Sequence, residues 1–478
     1  MSLLTRRLFT GVLLIVLSAA LWSFPATPVH AQPKGKAESK SKRSKTDLES
    51  AAPQAGPADY ASKNFLMHTD LPPKEANDLL KRMETMLTLI SKYWGRPSVG
   101  VIECYVVKDL KVWPADAIDE RGLQSIEEQA GVTLGVTRSQ GNSFTSKATV
   151  YAVADRGTPL HEAVHAYCIH AFGRTGPVWY AEGMAEMGQY WREGEISVNA
   201  HDVVIEYLQQ SEPKQLLAIV DNTDRTGDSW QNYAWRWALC HLLCNNPNYA
   251  ARFRPLGLGL LGNAPVSFEV VYGDMSKEIS FEYAQFLEHI ENGYRVDLCS
   301  WDWKAKFKRS RSGGLTTSTI DAGHGWQPSR LSVVGDEEYE YSATGSWTLA
   351  KDSDAVGADG QMDGGGRLEG VILKDYELGK PFDLGSYGSF VAPTDGDLYL
   401  RCKDNWVSLV DNKGKMSVKL KVKGKGNPLP APKTTDKPAG GTVKADDPKE
   451  KSKTGQPAPA PKVESPNESS SKSVKPKK

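Results

Sequence analysis

Residues 161–186 read HEAVHAYCIHAFGRTGPVWYAEGMAE, and this stretch says more about the fold than any other part of the chain. On a helix, His161 and His165 are four residues apart and project from one face, so both imidazoles can reach a single metal ion. Glu162 lies between them, where a carboxylate beside the metal can accept a proton from water. A catalytic zinc site also needs a third protein ligand, which must come from outside this helix.

The second half of the stretch offers two candidates for the third ligand. Residues 177–180 (PVWY) predict the start of a second helix that carries Glu182 and, one turn later, Glu186. Both carboxylates lie on the same face of that helix. One of them can bind the metal, and the other can accept a hydrogen bond from the far nitrogen of a ligand histidine.

This order of motifs resembles the gluzincin metallopeptidases, in their peptidase MA-like branch, over residues 60–295. Members of that family have HExxH followed by a Trp-containing segment and an EGxA-type helix. The resemblance implies that His161, His165 and Glu182 bind Zn²⁺ and that Glu162 is the catalytic base. Glu186 then accepts a hydrogen bond from the nitrogen of a ligand histidine that faces away from the metal, and it remains the alternative ligand.

The flanking sequence predicts a mixed set of helices and strands. A helix with apolar residues at helical spacing ends near Trp94, and strands are predicted at 101–107 and 148–153. The second strand leads into the HEAVH helix and is either a sheet edge that pairs with peptide or an ordinary core strand. Tyr233 is either a core residue or, as in related enzymes, a phenol that stabilises an oxyanion. Further helices are predicted at 201–210, 213–220, 229–244 and 277–291.

The first 31 residues predict an exported protein. Arg6 and Arg7 precede an apolar run at 8–21, and a small-residue site ends near Ala31. The interpretation is a cleaved signal peptide, with a periplasmic, cell-surface or secreted location; a retained anchor is the alternative. No later segment is long and apolar enough for a stable transmembrane anchor. Six cysteines are too few for a disulfide scaffold, although export permits one or two bridges.

The net charge of zero hides two basic tails around an acidic body. Residues 31–46 have five Lys and one Arg against one Glu, and residues 423–478 have thirteen Lys against six acidic residues. Both regions are rich in Lys, Ser, Pro and Ala, a composition that cannot bury enough apolar surface to fold. We therefore expect disorder at 32–58 and 423–478, where contact with a cell-surface polymer is conceivable, and no nucleic-acid partner.

The composition changes after Trp303 to short β-branched runs separated by Gly and Asp turns, which predicts a β-sandwich at 318–422. This segment resembles the calcium-dependent galactophilic lectins (PA-IL-like) at PFDLG (381–385), LYL (398–400) and the loop at 403–414. The resemblance implies a Ca²⁺ site at Asp404, Asp411 and Asn412 and a glycan partner. The expected sugar-contacting histidine has no clear counterpart in this segment.

The expected fold is therefore an α+β zincin-like metallopeptidase domain (59–300, a small mixed sheet plus helices), a linker (301–317) and an all-β sandwich. The expected function is that of a secreted zinc-dependent metallopeptidase, which hydrolyses a peptide or protein substrate through a zinc-bound water and is targeted by a carbohydrate- or calcium-binding module. The alternative is a non-catalytic surface or carbohydrate-binding scaffold with a vestigial metal site.

Overall fold

The computed structural model describes residues 14–18, 56–140, 143–221, 229–310 and 314–432. Three segments lie mostly or wholly outside the described residues. They are the predicted signal peptide, of which only residues 14–18 are described, most of the basic linker, and the tail from residue 433. The export signal and the disorder of both tails therefore remain predictions.

A six-stranded mixed sheet forms the first layer of the fold. Its strand order is β1-β5-β6-β4-β3-β2, with β3, β4 and β6 parallel and the other pairs antiparallel. The strands are β1 (Leu14–Ser18), β2 (Ala58–Ala61), β3 (Phe65–Thr69), β4 (Ile102–Val107), β5 (Gly131–Gln140) and β6 (Ser143–Val153).

The position of β6 decides between the two interpretations of the strand before the HEAVH helix. It lies inside the sheet, between β5 and β4, so it is not an edge strand. Over residues 149–152 its backbone is paired with β4 on one side and with β5 on the other, so this stretch has no free edge for an incoming peptide. The neighbouring strand β5 pairs on its other side with the backbone of β1, where Leu14 is opposite Gly135 and Ser18 is opposite Gly131.

Ten α-helices are present in the described residues, and short 3₁₀ turns occur at Leu110–Val112 and Gly273–Met275. The sequence patterns predict most of them, but α2, α8 and α9 were not predicted. The helices are α1 (Pro73–Trp94), α2 (Glu120–Glu127), α3 (Thr158–Phe172), α4 (Val178–Tyr190), α5 (Asp202–Gln210), α6 (Leu216–Ile219), α7 (Trp230–Asn245), α8 (Ala250–Leu261), α9 (Phe268–Tyr272) and α10 (Ser276–Glu288).

Helix α3 carries the HEAVH motif and begins directly after β6. Asp155 caps its start: one carboxylate oxygen accepts from the backbone N–H of Gly157 (2.8 Å) and of Thr158, and the other accepts from the Thr158 hydroxyl. The helix ends at Gly173, whose φ of +76° is the left-handed conformation that favours glycine. These two ends fix which residues of α3 face the sheet and which face α4.

Helix α4 carries both candidate carboxylates and packs between α3 and α7. Two glycines permit the close approach. A Cβ on Gly188 would lie 2.4 Å from a methyl carbon of Val164 on α3, and one on Gly183 would lie 2.8 Å from the backbone oxygen of Arg236 on α7. The "G" of the EGxA motif is therefore required by helix packing next to Glu182.

Two further sheets share one hydrophobic core, with strand orders β14-β10-β16-β8 and β12-β11-β15-β9-β7; β13 pairs with β11. A common core between two sheets is the arrangement expected of a β-sandwich. The strands are β7 (Lys308–Arg309), β8 (Thr316–Asp321), β9 (Gln327–Val333), β10 (Glu338–Thr348), β11 (Leu368–Lys374), β12 (Glu377–Leu378), β13 (Phe382–Asp383), β14 (Tyr387–Val391), β15 (Gly396–Cys402) and β16 (Lys413–Val422).

The segment that follows α10 is packed between the helices and the second pair of sheets. The Trp301 ring lies 4.9 Å from that of Phe281 on α10 and 4.5 Å from that of Tyr399 on β15. The buried carboxylate of Glu282 accepts hydrogen bonds from Trp303 Nε1 (2.6 Å) and the Tyr249 hydroxyl (2.7 Å), while burial raises its pKa. The start of the predicted linker, at Trp301 and Trp303, is therefore packed against residues of both parts of the protein.

The broad expectation of helices and several sheets is confirmed. The assignment of the first part to the zincin-like fold remains a prediction. All six cysteines lie in the described residues and are free thiols, so the bridges that export would permit are not formed. No helix in the described parts of the chain has the length and apolarity needed to cross a membrane.

Candidate metal centre

The ligand atoms of His161, His165 and Glu182 meet at one buried point. The His161 Nε2 and His165 Nε2 atoms are 3.2 Å apart, and Glu182 Oε2 lies 3.2 Å from the first and 3.3 Å from the second. All three side chains are buried, with exposed fractions of 5% or less. Two helices supply them: α3 provides both histidines one turn apart, and α4 provides the carboxylate.

This triangle has the size that a tetrahedral zinc site requires. Ligand distances of about 2.0–2.1 Å and tetrahedral angles separate the ligand atoms by about 3.3–3.4 Å. The second oxygen of Glu182, Oε1, is buried and has no hydrogen-bond partner among the described residues. A buried carboxylate oxygen with no donor, beside two facing imidazole nitrogens, is costly unless a cation lies between them. The donor set and its spacing therefore fit a zinc ion.

Glu186 lies behind His161. Its Oε1 atom is 3.0 Å from His161 Nδ1, so the imidazole can donate there and direct the Nε2 lone pair towards the other two ligand atoms. Burial lowers the pKa of His161, but hydrogen bonds with Glu182 and Glu186 outweigh it and hold that pKa well above its ordinary value. A proton and a metal ion compete for the same nitrogen lone pair.

The electrostatics of Glu182 favour the ionised form that metal binding needs. Burial alone would raise the pKa of this carboxyl group. The charge of His165 and the hydrogen bonds with both histidines have the larger combined effect and lower the pKa to about 2. The side chain is therefore an anion at neutral pH although it is fully buried.

Glu162 projects from α3 towards strand β5, and its side chain is fully buried. The Thr133 hydroxyl lies 2.8 Å from Glu162 Oε2 and 2.8 Å from the Glu162 backbone oxygen, so it can donate to either. A Cβ on Gly131 would lie 2.7 Å from Glu162 Cγ. Strand β5 thus holds the carboxylate in place, with a glycine and a short hydroxyl at the two contact positions. Neither residue stands out in the sequence.

A cavity of about 350 Å³ opens beside His161. Glu186, Tyr233 and Trp230 contribute to its lining. The Tyr233 ring is almost parallel to that of His161, with centroids 5.8 Å apart, and only 3% of the residue is exposed. Tyr233 is therefore both a packed residue and a wall of the cavity, and its proposed role with an oxyanion stays a prediction.

His170, on α3 beyond the metal ligands, has a structural contact. Its Nε2 atom accepts a hydrogen bond from the backbone N–H of Ala148 on β6 (3.1 Å). Burial lowers its pKa, which keeps the ring neutral and able to accept. This histidine ties α3 to the sheet and is not part of the three-residue group.

The predicted calcium residues lie in the loop between β15 and β16. Asp404 Oδ2 and Asn412 Oδ1 are both buried and have no hydrogen-bond partner among the described residues. The amide nitrogen of Asn412 donates to the Ala322 backbone oxygen (3.3 Å), which directs its oxygen away from that contact. Asp411 precedes it and is partly exposed. Two donor-free oxygens in one loop suit a hard cation such as Ca²⁺.

No family model matches this chain, and no curated protein is similar to it at the sequence level. Among solved structures, 22% of the chain is similar to 94% of a chain described as "EclA N-terminal domain; PllA-like lectin", with 16% sequence identity and a TM-score of 0.20. That similarity is too weak to carry an argument about this protein. The candidate function therefore depends on the site itself.

Proposed function

We propose that this protein is a zinc-dependent metallopeptidase. The observation that supports it most strongly is the buried triangle of His161 Nε2, His165 Nε2 and Glu182 Oε2, with side lengths of 3.2–3.3 Å. A structural zinc site would also close its fourth position with a protein ligand, whereas only three such groups meet in the described residues and a cavity opens beside them. This supports a catalytic rather than a structural site.

Each side chain of the site has its own role in the proposed reaction. A bound zinc ion would polarise the scissile carbonyl and lower the pKa of a nearby water molecule. Glu162 accepts the proton of the attacking water and later donates it to the leaving amine. Thr133 fixes the orientation of the Glu162 carboxylate, and Glu186 fixes that of the His161 ring. The cavity beside His161 receives the substrate.

The β-sandwich is proposed as a targeting module. The donor-free oxygens of Asp404 and Asn412 support a calcium site there, and a glycan or cell-surface polymer is the proposed partner. In that role the module brings the peptidase cleft to its substrate. Its proposed export is consistent with this arrangement, because calcium and surface polymers are abundant outside the cytoplasm.

The test combines metal analysis with proteolysis. Purified protein is expected to contain one equivalent of zinc and to cleave a denatured protein in a chelator-sensitive manner. Glu162→Gln should abolish cleavage and retain zinc, because Glu162 is not in the ligand triangle. Glu206→Gln, an exposed glutamate on α5, is the matched control and should leave both unchanged. Stoichiometric zinc without any cleavage would instead favour the non-catalytic scaffold.

A further inference from the structure

A second cavity, of about 830 Å³, adjoins the one beside the metal centre. The two cavities have a common wall, which is formed by residues 155–157, Gln189, Tyr190 and His201. They therefore lie side by side, the smaller one at His161 and the larger one at helix α1, and together they are called the cleft. A peptide bound at the metal centre would continue into this larger space.

Three arginines line the larger cavity, and each comes from a different element. Arg82 projects from α1, Arg156 lies in the turn before α3, and Arg192 follows α4. Arg156 also lines the smaller cavity, so its positive charge is at the boundary between the two. Burial, together with the charges of Arg192 and Arg156, lowers the pKa of Arg82; only Asp155 acts in the opposite direction. The fold thus brings like charges together around an open space.

Three carboxylates also line the larger cavity, and two of them have partners of their own. Asp155 accepts from two backbone N–H groups at the start of α3 and from the Thr158 hydroxyl. Glu75 lies 3.6 Å from the ammonium group of Lys108, and Asp78 is exposed on the surface of α1. Among the described residues, no carboxylate lies within 4.0 Å of the three guanidinium groups. Arg82 donates to the backbone oxygen of Arg156, and Arg192 donates to those of Gln189 (3.2 Å) and Trp191 (3.0 Å). Two of the three guanidinium groups therefore have backbone contacts, but none of the three has a carboxylate partner among the described residues.

We propose that this cleft binds a carboxylate group of the substrate, with Arg156 and Arg192 as its specificity-determining residues. The inference rests on the proposed peptidase function and adds its substrate class, which is peptides that place a carboxylate group in this cleft. Guanidinium groups bind carboxylates through paired charge-assisted hydrogen bonds. The carboxylate comes either from an Asp or Glu side chain or from the peptide C-terminus, and both sources have the same chemistry.

The test measures binding rather than cleavage, so it does not depend on turnover. Full-length Glu162→Gln protein, loaded with zinc, is titrated against short fluorescein-labelled alanine peptides by fluorescence anisotropy. One set carries a single Glu at successive positions with an amidated C-terminus, and a matched set carries Gln. A third set has Gln and a free C-terminal carboxylate. We expect one carboxylate-bearing set to bind about tenfold more tightly than its neutral match, the factor that one charge-assisted hydrogen bond supplies.

Matched variants assign that preference to the cleft. Arg156→Gln and Arg192→Gln change exposed side chains, and each should remove most of the preference for carboxylate while binding of the neutral peptide changes little. Arg252→Gln is the control, because Arg252 is also exposed and, like Arg192, donates to a backbone carbonyl, but it lines neither cavity. It should retain the preference.

Two outcomes would overturn the carboxylate subsite. One is equal affinity for all charged and neutral peptides, and the other is a preference that survives in both arginine variants. Failure of the peptidase proposal has a different signature, because the Glu162-containing protein would then bind the peptides without cleaving any of them. The free-acid set distinguishes the two sources: tighter binding of that set alone identifies a peptide C-terminus as the ligand.

Discussion

Replacement of Gly183 by alanine tests whether helix packing sets the metal site. The new Cβ would lie 2.5 Å from Cys240 Sγ and 2.8 Å from the Arg236 backbone oxygen, whereas ordinary contacts begin at 3.4 Å. The sulfur can rotate away, but the carbonyl oxygen belongs to the backbone of α7. Overpacking of this kind costs about 1–3 kcal/mol, and the better helix propensity of alanine recovers about 1 kcal/mol. We therefore expect a net loss of up to about 2 kcal/mol in the free energy of unfolding.

The same substitution should weaken zinc binding, because Glu182 precedes Gly183 and moves with it. The assay is urea denaturation of the zinc-free protein, followed by competition for zinc with a fluorescent chelator. Gly273→Ala is the matched control: that glycine has helical backbone angles, and no atom lies within 4 Å of its Cβ position. The reasoning is refuted if Gly183→Ala has the same midpoint and the same zinc affinity as Gly273→Ala.

Three further predictions concern the carboxylate that contacts His161 Nδ1, a buried histidine and the β-sandwich. Glu186→Gln should lower zinc affinity about tenfold, the effect of losing an outer carboxylate, whereas Glu206→Gln should not. Burial lowers the pKa of His241 to about 4, below its ordinary value near 6.5, so its contribution to stability is complete above pH 6.5 and is lost as the pH falls towards 4. When the pH falls from 7 to 5, the free energy of unfolding should therefore decrease by about 2 kcal/mol less in His241→Phe than in the parent. Urea denaturation at each pH measures this, and an equal decrease in both proteins would contradict the prediction. Calcium should raise the melting temperature of the parent and of Asp375→Asn, an exposed control, but not that of Asp404→Asn; calcium-independent melting of all three would argue against the site.

The candidate metal-binding residues were predictable from sequence because their spacing encodes their geometry. Two residues four apart, such as His161 and His165, lie on one face of a helix wherever that helix is in the fold. The second helix brings Glu182 close to them after a short connection. The sandwich strands were also predictable from alternating apolar residues and Gly turns. Strand β5 was not, since its sequence, GVTLGVTRSQ, is interrupted by glycines and polar residues, and it is stabilised by pairing with β6.

The arginine cleft could not be predicted from sequence. Arg82, Arg156 and Arg192 lie far apart along the chain, and a single arginine in each stretch is ordinary for a protein surface. Helix α8 was missed for a different reason: Pro255 and two glycines in ARFRPLGLGLL obscure its apolar periodicity. Both features depend on tertiary contacts that no local pattern records.

The packing between α10 and the second pair of sheets affects how far the cleft lies from any surface that the β-sandwich binds. His289 stacks on Trp406 with ring centroids 4.6 Å apart, and the Arg401 guanidinium lies 4.1 Å from the centre of the same Trp406 ring. Together with the Trp301 contacts, these aromatic groups leave no flexible tether between the cleft and the sandwich in the described residues. A sandwich held on a surface would therefore keep the cleft at a fixed height and angle above it. The proposed peptidase would then cleave only the peptide bonds that lie at that distance from the surface.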